Sequence, residues 1–338
     1  MSRIDSTAES LFEDQVSTEV SKQEYYQMLL DLYVLAPARI LVQDWRALVG
    51  ATITLAYILM GTVGVVVVQP PELLGGPKLA GFFEGGYVLG TDHQGRSLFG
   101  MMVHSTPAML KMILSGAVFT TVVATLVGVY TGYRRGVVSK IGMTFTDIML
   151  TVPGLPLIIV IGVVFSPRSP LIVGVVLSLN AWAGLARSIR SQVLTIREES
   201  YVEASRIMGL STATIMFKDI IPQLMPYISV NFMQNARRII FASVGLYFLG
   251  VLPFSHQNWG VVLNNAYEGG ALWQPAAIHW LLVPVPTITG FSFGLILLAQ
   301  GTDRLFNPRV RARHASTVSE AEEQDEGEAV ENVEQQTF

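Results

Sequence analysis

The sequence predicts an all-α membrane protein, a polytopic bundle of about six transmembrane helices, and three observations carry that prediction. Only 14% of its 338 residues are charged and 51% are hydrophobic, whereas soluble domains carry roughly 25% charged residues. Apolar runs of about 20 residues, the length that crosses a bilayer core, recur along the chain. The charges that remain collect between those runs and at the two ends. Of 26 acidic residues, seven lie between Asp5 and Asp31 and eight between Glu320 and Glu334. The formal net charge of -4 therefore describes the ends, while the middle is basic. Cysteine is absent, so no disulfide framework, thiolate nucleophile or thiolate metal site is expected.

Residues 1–27 are acidic and rich in Ser and Thr, which predicts disorder. They lack the apolar core of a signal peptide, so the first span is expected to serve as its own insertion signal. The next stretch, 28–46, holds Pro37 and Arg39, is too short to cross, and reads as an interfacial helix. A transmembrane domain is expected over 47–314. Its first span is 47–68, ending at Gln69-Pro70-Pro71, followed by a loop to about 107 and a second span at 109–130. The third span, 143–165, and the fourth, 171–186, are joined by Ser166-Pro167-Arg168-Ser169-Pro170, which reads as a tight turn. A long polar insertion covers 187–222, and spans five and six are expected at 225–252 and 280–299. Trp259, Trp273 and Trp280 fit an aromatic belt around the last external loop, and the acidic tail, 315–338, predicts disorder.

Orientation follows from the Lys and Arg of alternate loops. Fourteen, among them Arg39, Arg134, Arg135, Arg187, Arg197 and Arg313, fall on one side, and three (Lys78, Arg96 and Arg168) on the other. Both termini and the polar insertion are therefore expected in the cytoplasm, in a multi-pass plasma-membrane protein.

The insertion reads as two short helices set at an angle. The first runs through Tyr201, Val202, Glu203, Ala204, Ser205, Ile207 and Met208 and stops at Gly209, which suits a left-handed cap. Leu210 follows, Ser211 can cap the second helix, and Pro222 limits it. Such a helix–turn–helix on a membrane bundle makes a docking knob for another protein. Glu203, Ala204, Gly209 and Pro222 stand at the spacing of the coupling loop of ABC importer permeases, which is Glu-Ala-Ala, three residues, Gly, nine residues, then Ile-x-Leu-Pro. Ser205, Asp219 and Ile221 depart from that pattern.

More of the chain resembles the permeases of the dipeptide, oligopeptide and nickel type, the binding-protein-dependent transport components. Gly90-Thr91-Asp92, followed by Gly95-Arg96, is similar to their Gly-Thr-Asp-x-x-Gly-Arg signature. Thr146-Asp147-Ile148-Met149-Leu150-Thr151-Val152-Pro153 resembles their third span, and Leu246–Gly250 with Asn258-Trp259-Gly260 resembles their Leu-Ser-Phe-Leu-Gly and Trp-Gly elements. The resemblance runs from about Arg46 to Arg311 and is strongest to the C-type permease.

The resemblance implies a pathway shared with a second, B-type permease. It further implies two ABC ATPase subunits on the cytoplasmic loops and an extracellular solute-binding protein. ATP and Mg would be bound in those ATPases and no cofactor in this chain, which has no Gly-x-x-x-x-Gly-Lys-Ser/Thr loop and is not expected to be an enzyme. Peptides are the leading solute class, with nickel or an oligosaccharide as further possibilities. The rival reading, a secondary transporter or channel, shares the spans but leaves the coupling loop unexplained and usually shows internal repeats.

Arg237 and Arg238 interrupt the fifth span. Intramembrane arginines mostly face a cavity or partner, so both are candidates for the pathway or a charge pair, against the alternative that they snorkel to the inner interface. Asp147 is a candidate internal partner. Asp92 and Arg96 fit a loop-folding role, with an external gate as the alternative. The five histidines show no ligand spacing, so no metal site is expected, and nothing points to nucleic acid.

Overall fold

The computed structural model describes residues 44–306. The segments expected to be disordered lie outside that range, as does the interfacial helix apart from its last three residues. The helical bundle belongs to the compact unit that begins at Arg46. Among the described residues the only extended pairings are two isolated bridges, Glu84 with Tyr87 and Thr91 with Ser97.

Helix α1 covers Trp45–Val67. Its contact face is made of small residues: a Cβ on Gly50 would lie 2.4 Å from the Leu298 backbone nitrogen, so only glycine lets it approach the last helix. Helix α2, Leu98–Tyr133, is the longest at 36 residues. It starts well before the predicted span because Ser97 caps it, its Oγ accepting from the Gly100 amide at 3.3 Å. Pro107, expected in the preceding loop, lies inside it.

Two of the expected spans are broken. Helix α3, Val137–Thr151, and α4, Gly154–Phe165, meet at 81°. Pro153 supplies the cause, since it lacks an amide proton and pushes Val152 into extended backbone. Helix α5, Pro170–Leu177, and α6, Ala181–Ile196, meet at 56° without a proline. There the Ser178 hydroxyl donates back to the carbonyls of Gly174 and Val175, both at 2.9 Å, which competes with continued helix. The two breaks abut, for Asn180 donates to the Val152 carbonyl at 3.4 Å. The crossing of α2 and α5 is equally tight: a Cβ on Gly174 would stand 2.2 Å from the Met112 carbonyl oxygen.

Helix α6 overturns one expected boundary. The polar insertion does not begin at Arg187, because the helix continues to Ile196 with Trp182, Ala186, Ile189 and Val193 buried along one stripe. Helix α7 follows at Ser200–Ile207, then α8 at Thr212–Ile215 and a π turn at Met216–Ile220, which leads without a loop into α9, Ile221–Phe248. Pro222 therefore begins a helix instead of ending one. The π turn makes that possible: the Ile221 amide donates five residues back to Met216, so the ladder is re-set where proline removes a donor. Helix α10, Trp259–Glu268, capped by Asn258, occupies the expected last external loop. Helices α11, Ile278–Leu282, and α12, Pro284–Phe306, complete the bundle.

Among the described residues three helical segments are long and apolar enough to cross a membrane, and the two bent pairs raise that to five. The expected span left out of that count is the fifth, α9. Its 28 residues suffice in length, but Asn231, Gln234, Asn235, Arg237 and Arg238 make its middle polar.

Two apolar clusters hold the bundle. The outer one gathers Met109, Ile240, Leu252, Trp259, Trp280 and Phe291. Trp259 and Trp280 are thus core residues and not an interfacial belt; of those three tryptophans Trp273 alone is exposed. The Trp259 indole donates to the Thr106 hydroxyl at 3.2 Å and packs edge-on to Tyr57 and Phe291, which satisfies its polar atom away from water. The inner cluster joins Trp182, Ile189, Val202, Ile215, Ile220 and Leu224, and so unites α6, both short helices of the insertion and the start of α9.

Candidate functional site

The insertion is held at its entry by charge. Arg197 Nη1 donates to the Gly132 carbonyl at 2.9 Å, at the end of α2. Glu198 pairs with Arg197 at 3.0 Å and with Arg135 at 2.8 Å. These guanidinium hydrogen bonds, that of Arg197 first and that of Arg135 second, hold the Glu198 carboxyl below the ordinary glutamate range. The latch is therefore complete above the ordinary glutamate pKa and is lost as pH falls through the depressed one. Arg206 lies over the Tyr133 ring at 5.8 Å.

Beyond the latch, α7 presents two faces. Val202 belongs to the inner cluster, and Ser205 is buried as well. Tyr201, Glu203, Ala204, Ile207, Met208, Gly209 and Leu210 are all exposed. The helix ends in a Schellman turn: the Leu210 amide reaches the Ser205 carbonyl at 3.2 Å and the Gly209 amide the Arg206 carbonyl at 3.1 Å. Gly209 has φ +75° and nothing within 4 Å of a built Cβ, so the need for glycine there is conformational and not steric. Ser211 Oγ then accepts from the Thr214 amide at 3.1 Å and starts α8. Phe217 in the π turn is exposed as well. An apolar face of Tyr201, Ile207, Met208, Leu210 and Phe217 thus projects from a firmly packed base. Burial pushes the Tyr201 phenol up, with Glu199 and Asp219 adding to the effect.

The external motif is built as a closed loop. Asp92 is fully buried; its Oδ1 accepts from the amides of Gln94 and Arg96 at 2.8 and 2.9 Å, and its Oδ2 meets Arg96 Nε at 2.7 Å. The Thr91 hydroxyl donates to the Pro77 carbonyl at 2.5 Å and accepts from the Ala80 amide at 2.9 Å. The Thr91 carbonyl accepts from His279 Nε2 at 2.9 Å, which ties the motif to α11. Gly90 and Gly95 have φ of +79° and +73°. These bonds fit the loop-folding role: the motif braces the outer ends of α2 and α11.

The intramembrane charges separate. Asp147 pairs with Arg187 of α6, beside the stacked rings of Phe145 and Trp182, whose centroids are 5.8 Å apart. Arg237 and Arg238 have no acidic partner among the described residues. Arg237 lines a groove of about 620 Å³ between α9 and α12, whereas Arg238 is exposed on the adjoining helix surface. Lys111, exposed within α2, is a further charge at span depth that sequence reasoning passed over although one look at the run 109–130 contains it. The exposed side chain of Phe217 was also not singled out, and only its apolar character on a polar insertion signalled it. Among the described residues no three His, Asp or Glu side chains converge as a metal site would require.

Comparison with known proteins agrees with this architecture. Residues 124–312 match the family described as binding-protein-dependent transport system inner membrane component. The chain is 32% identical over 212 residues to the oligopeptide transport system permease protein OppC of Lactococcus lactis subsp. cremoris, covering 60% of this chain and 71% of that one. It is 29% identical over 229 residues to the dipeptide transport system permease protein DppC of Bacillus subtilis, covering 66% and 68%. To the glutathione transport system permease protein GsiD of Pectobacterium atrosepticum it is 27% identical over 231 residues, covering 66% and 73%. The matched span takes in the end of α2, both broken spans, the polar insertion, α9 and α12, so the chain belongs to the binding-protein-dependent inner membrane component family, the permeases of ABC importers.

Proposed function

We propose that this chain is the C-type permease of an ATP-driven importer of peptides or closely related solutes. It forms half of the translocation pathway, with a B-type permease as the other half. Two ABC ATPase subunits dock on the cytoplasmic loops, and an extracellular solute-binding protein delivers the cargo. The observation that carries the reading is the exposed apolar face of Ile207, Met208 and Phe217 on a cytoplasmic loop whose underside belongs to the inner cluster. An apolar face on a charged cytoplasmic segment marks a protein-binding surface. The peptide assignment is supported by the names of the similar permeases, which are oligopeptide, dipeptide and glutathione systems.

The work of this chain is mechanical. ATP and Mg belong to the ATPase subunits. Closure of those subunits displaces the docked loop, and Val202, Ile215 and Ile220 carry the displacement into α2, α6 and α9 because all pack in one cluster. The broken spans α3–α4 and α5–α6 supply the points at which the bundle bends. Glu203, Ala204 and Gly209 act as transmission surfaces, not as catalysts.

Gentle purification of the tagged protein with mass spectrometry of its companions tests the reading. A second permease and two ATPases are expected; a homo-oligomer without ATPases would favour the channel or secondary-transporter reading. A second test addresses the turn. Gly209→Val places a branched side chain at φ +75°, which costs about 1–2 kcal/mol. It is expected to leave the complex assembled while ATP hydrolysed per solute imported rises severalfold, and an unchanged ratio would remove Gly209 from the coupling path.

A further inference from the structure

We infer that Arg237 is a carboxylate-binding position on the wall of the translocation path, and that the importer recognises its solute there by a free carboxylate. The inference rests on the peptide-importer reading and assigns the part of the solute that this chain holds.

Position comes first. Arg237 stands sixteen residues after Ile221 and eleven before Phe248, about 24 Å and 16 Å from the two ends of α9 at 1.5 Å per residue. It is therefore central in the helix and not at its cytoplasmic end, which weakens the snorkelling alternative. A guanidinium facing hydrocarbon at such depth costs at least about 2.5 kcal/mol, and arginines in spans accordingly face cavities or partners.

The surroundings come second. The groove that Arg237 lines is otherwise walled by Phe241 and Phe293 and edged by the hydroxyl side chains of Thr289 and Ser292. A second cavity of about 450 Å³, bordered by Tyr57, Phe82 and Leu89, shares Pro286 with it. Together they trace a trough along α12, from the external loop down to Arg237. Among the described residues no acidic side chain lines either cavity, and Arg237 is the one charged residue that does. Arg238, one residue on and thus about 100° around the helix, lines neither.

The chemistry follows. The planar guanidinium fork matches a carboxylate with two parallel hydrogen bonds, and apolar walls strengthen that pairing by lowering the local dielectric. A zwitterionic peptide carries such a carboxylate. One arginine in an open groove, without a closed cage of donors, holds it briefly and lets it go, as a transport step requires.

The test uses the whole transporter in proteoliposomes with its binding protein. Uptake of radiolabelled trialanine is compared with uptake of its C-terminal amide in the unaltered complex, in Arg237→Gln and in Arg237→Lys. The acid-to-amide ratio is the readout, so discrimination by the binding protein cancels between variants. Loss of a charge-assisted hydrogen-bonded pair predicts a fall of about tenfold in that ratio for Arg237→Gln, with partial retention for Arg237→Lys. An unchanged ratio overturns the inference. So does a Gln variant that purifies without the second permease, which would place the counter-charge on that subunit. If the unaltered complex imports neither peptide, the peptide reading itself fails, and that result is distinct from an unchanged ratio.

Discussion

Replacing Ile207 and Met208 together by aspartate is expected to strip the ATPase subunits from the purified complex while the permease stays in the membrane. Ile207 is 81% exposed and Met208 69% exposed, so neither change disturbs the inner cluster, which holds α7 through Val202. On docking, each side chain would contribute roughly 1.5–3 kcal/mol by burial. Two carboxylates in their place must be desolvated without partners, which adds to the loss. The combined effect is a reduction of more than about a hundredfold in affinity, read as absence of ATPase in a pull-down at nanomolar protein. A complex that survives both substitutions would move the docking surface elsewhere. Val202→Asp is the informative contrast: its side chain is fully buried, so that variant should fail in folding, visible as low membrane yield.

Asp92→Ala is expected to open the external loop. The carboxylate receives two backbone amides and the Arg96 guanidinium, and it is shut off from solvent. Removing one member of a buried pair costs roughly 3–5 kcal/mol, because the remaining charge is left uncompensated. The loss is local, so protease cleavage between residues 72 and 97 should rise steeply and the melting temperature in detergent should drop. Asp92→Asn keeps an acceptor oxygen for the amides and should recover part of the protection. If transport collapses in Asp92→Ala while the loop stays protected, the motif acts as an external gate and not as a brace.

Most of the bundle was legible as hydropathy, because a bilayer imposes length and apolarity on whatever crosses it. Its interruptions were less so. Pro153 advertises a break, but the 81° between α3 and α4 depends on where each half finds its neighbours. The bend at Ser178 has no proline or glycine to announce it, only a serine that bonds backwards. Helix α6 was cut short at Arg187 since its arginines lowered the local hydropathy; the stripe of Trp182, Ala186, Ile189 and Val193 was the better signal. Trp259 and Trp280 were misplaced for a different reason. The partner that satisfies the Trp259 indole, Thr106, lies 153 residues away in sequence, and no local pattern reveals such a contact.

The coupling loop shows the same division. Its turn chemistry at Gly209 and Ser211 is local and was readable. Which face of α7 docks was not: Val202 lies five and six residues from Ile207 and Met208, which puts them well around the helix from it. The sequence says that these residues cannot share one face, and only the packing of α6 and α9 decides which of them is covered. Arg237 was conspicuous as a charge, but the groove that gives it meaning exists only where α9 meets α12.

From Thr212 to Phe248 the chain never leaves helical winding, because α8, the π turn and α9 follow one another without a loop. The docking end and Arg237 are therefore mounted on a single shaft. Torque applied at the cytoplasmic end would have two outlets: to unwind or rewind the π turn, or to swing the Arg237 guanidinium along its groove. Deleting one residue between 216 and 220 would remove the extra residue that the π turn accommodates and restore ordinary helical pitch. Screw motion along one helix would then be enough to tie the state of the ATPases to the grip on the solute.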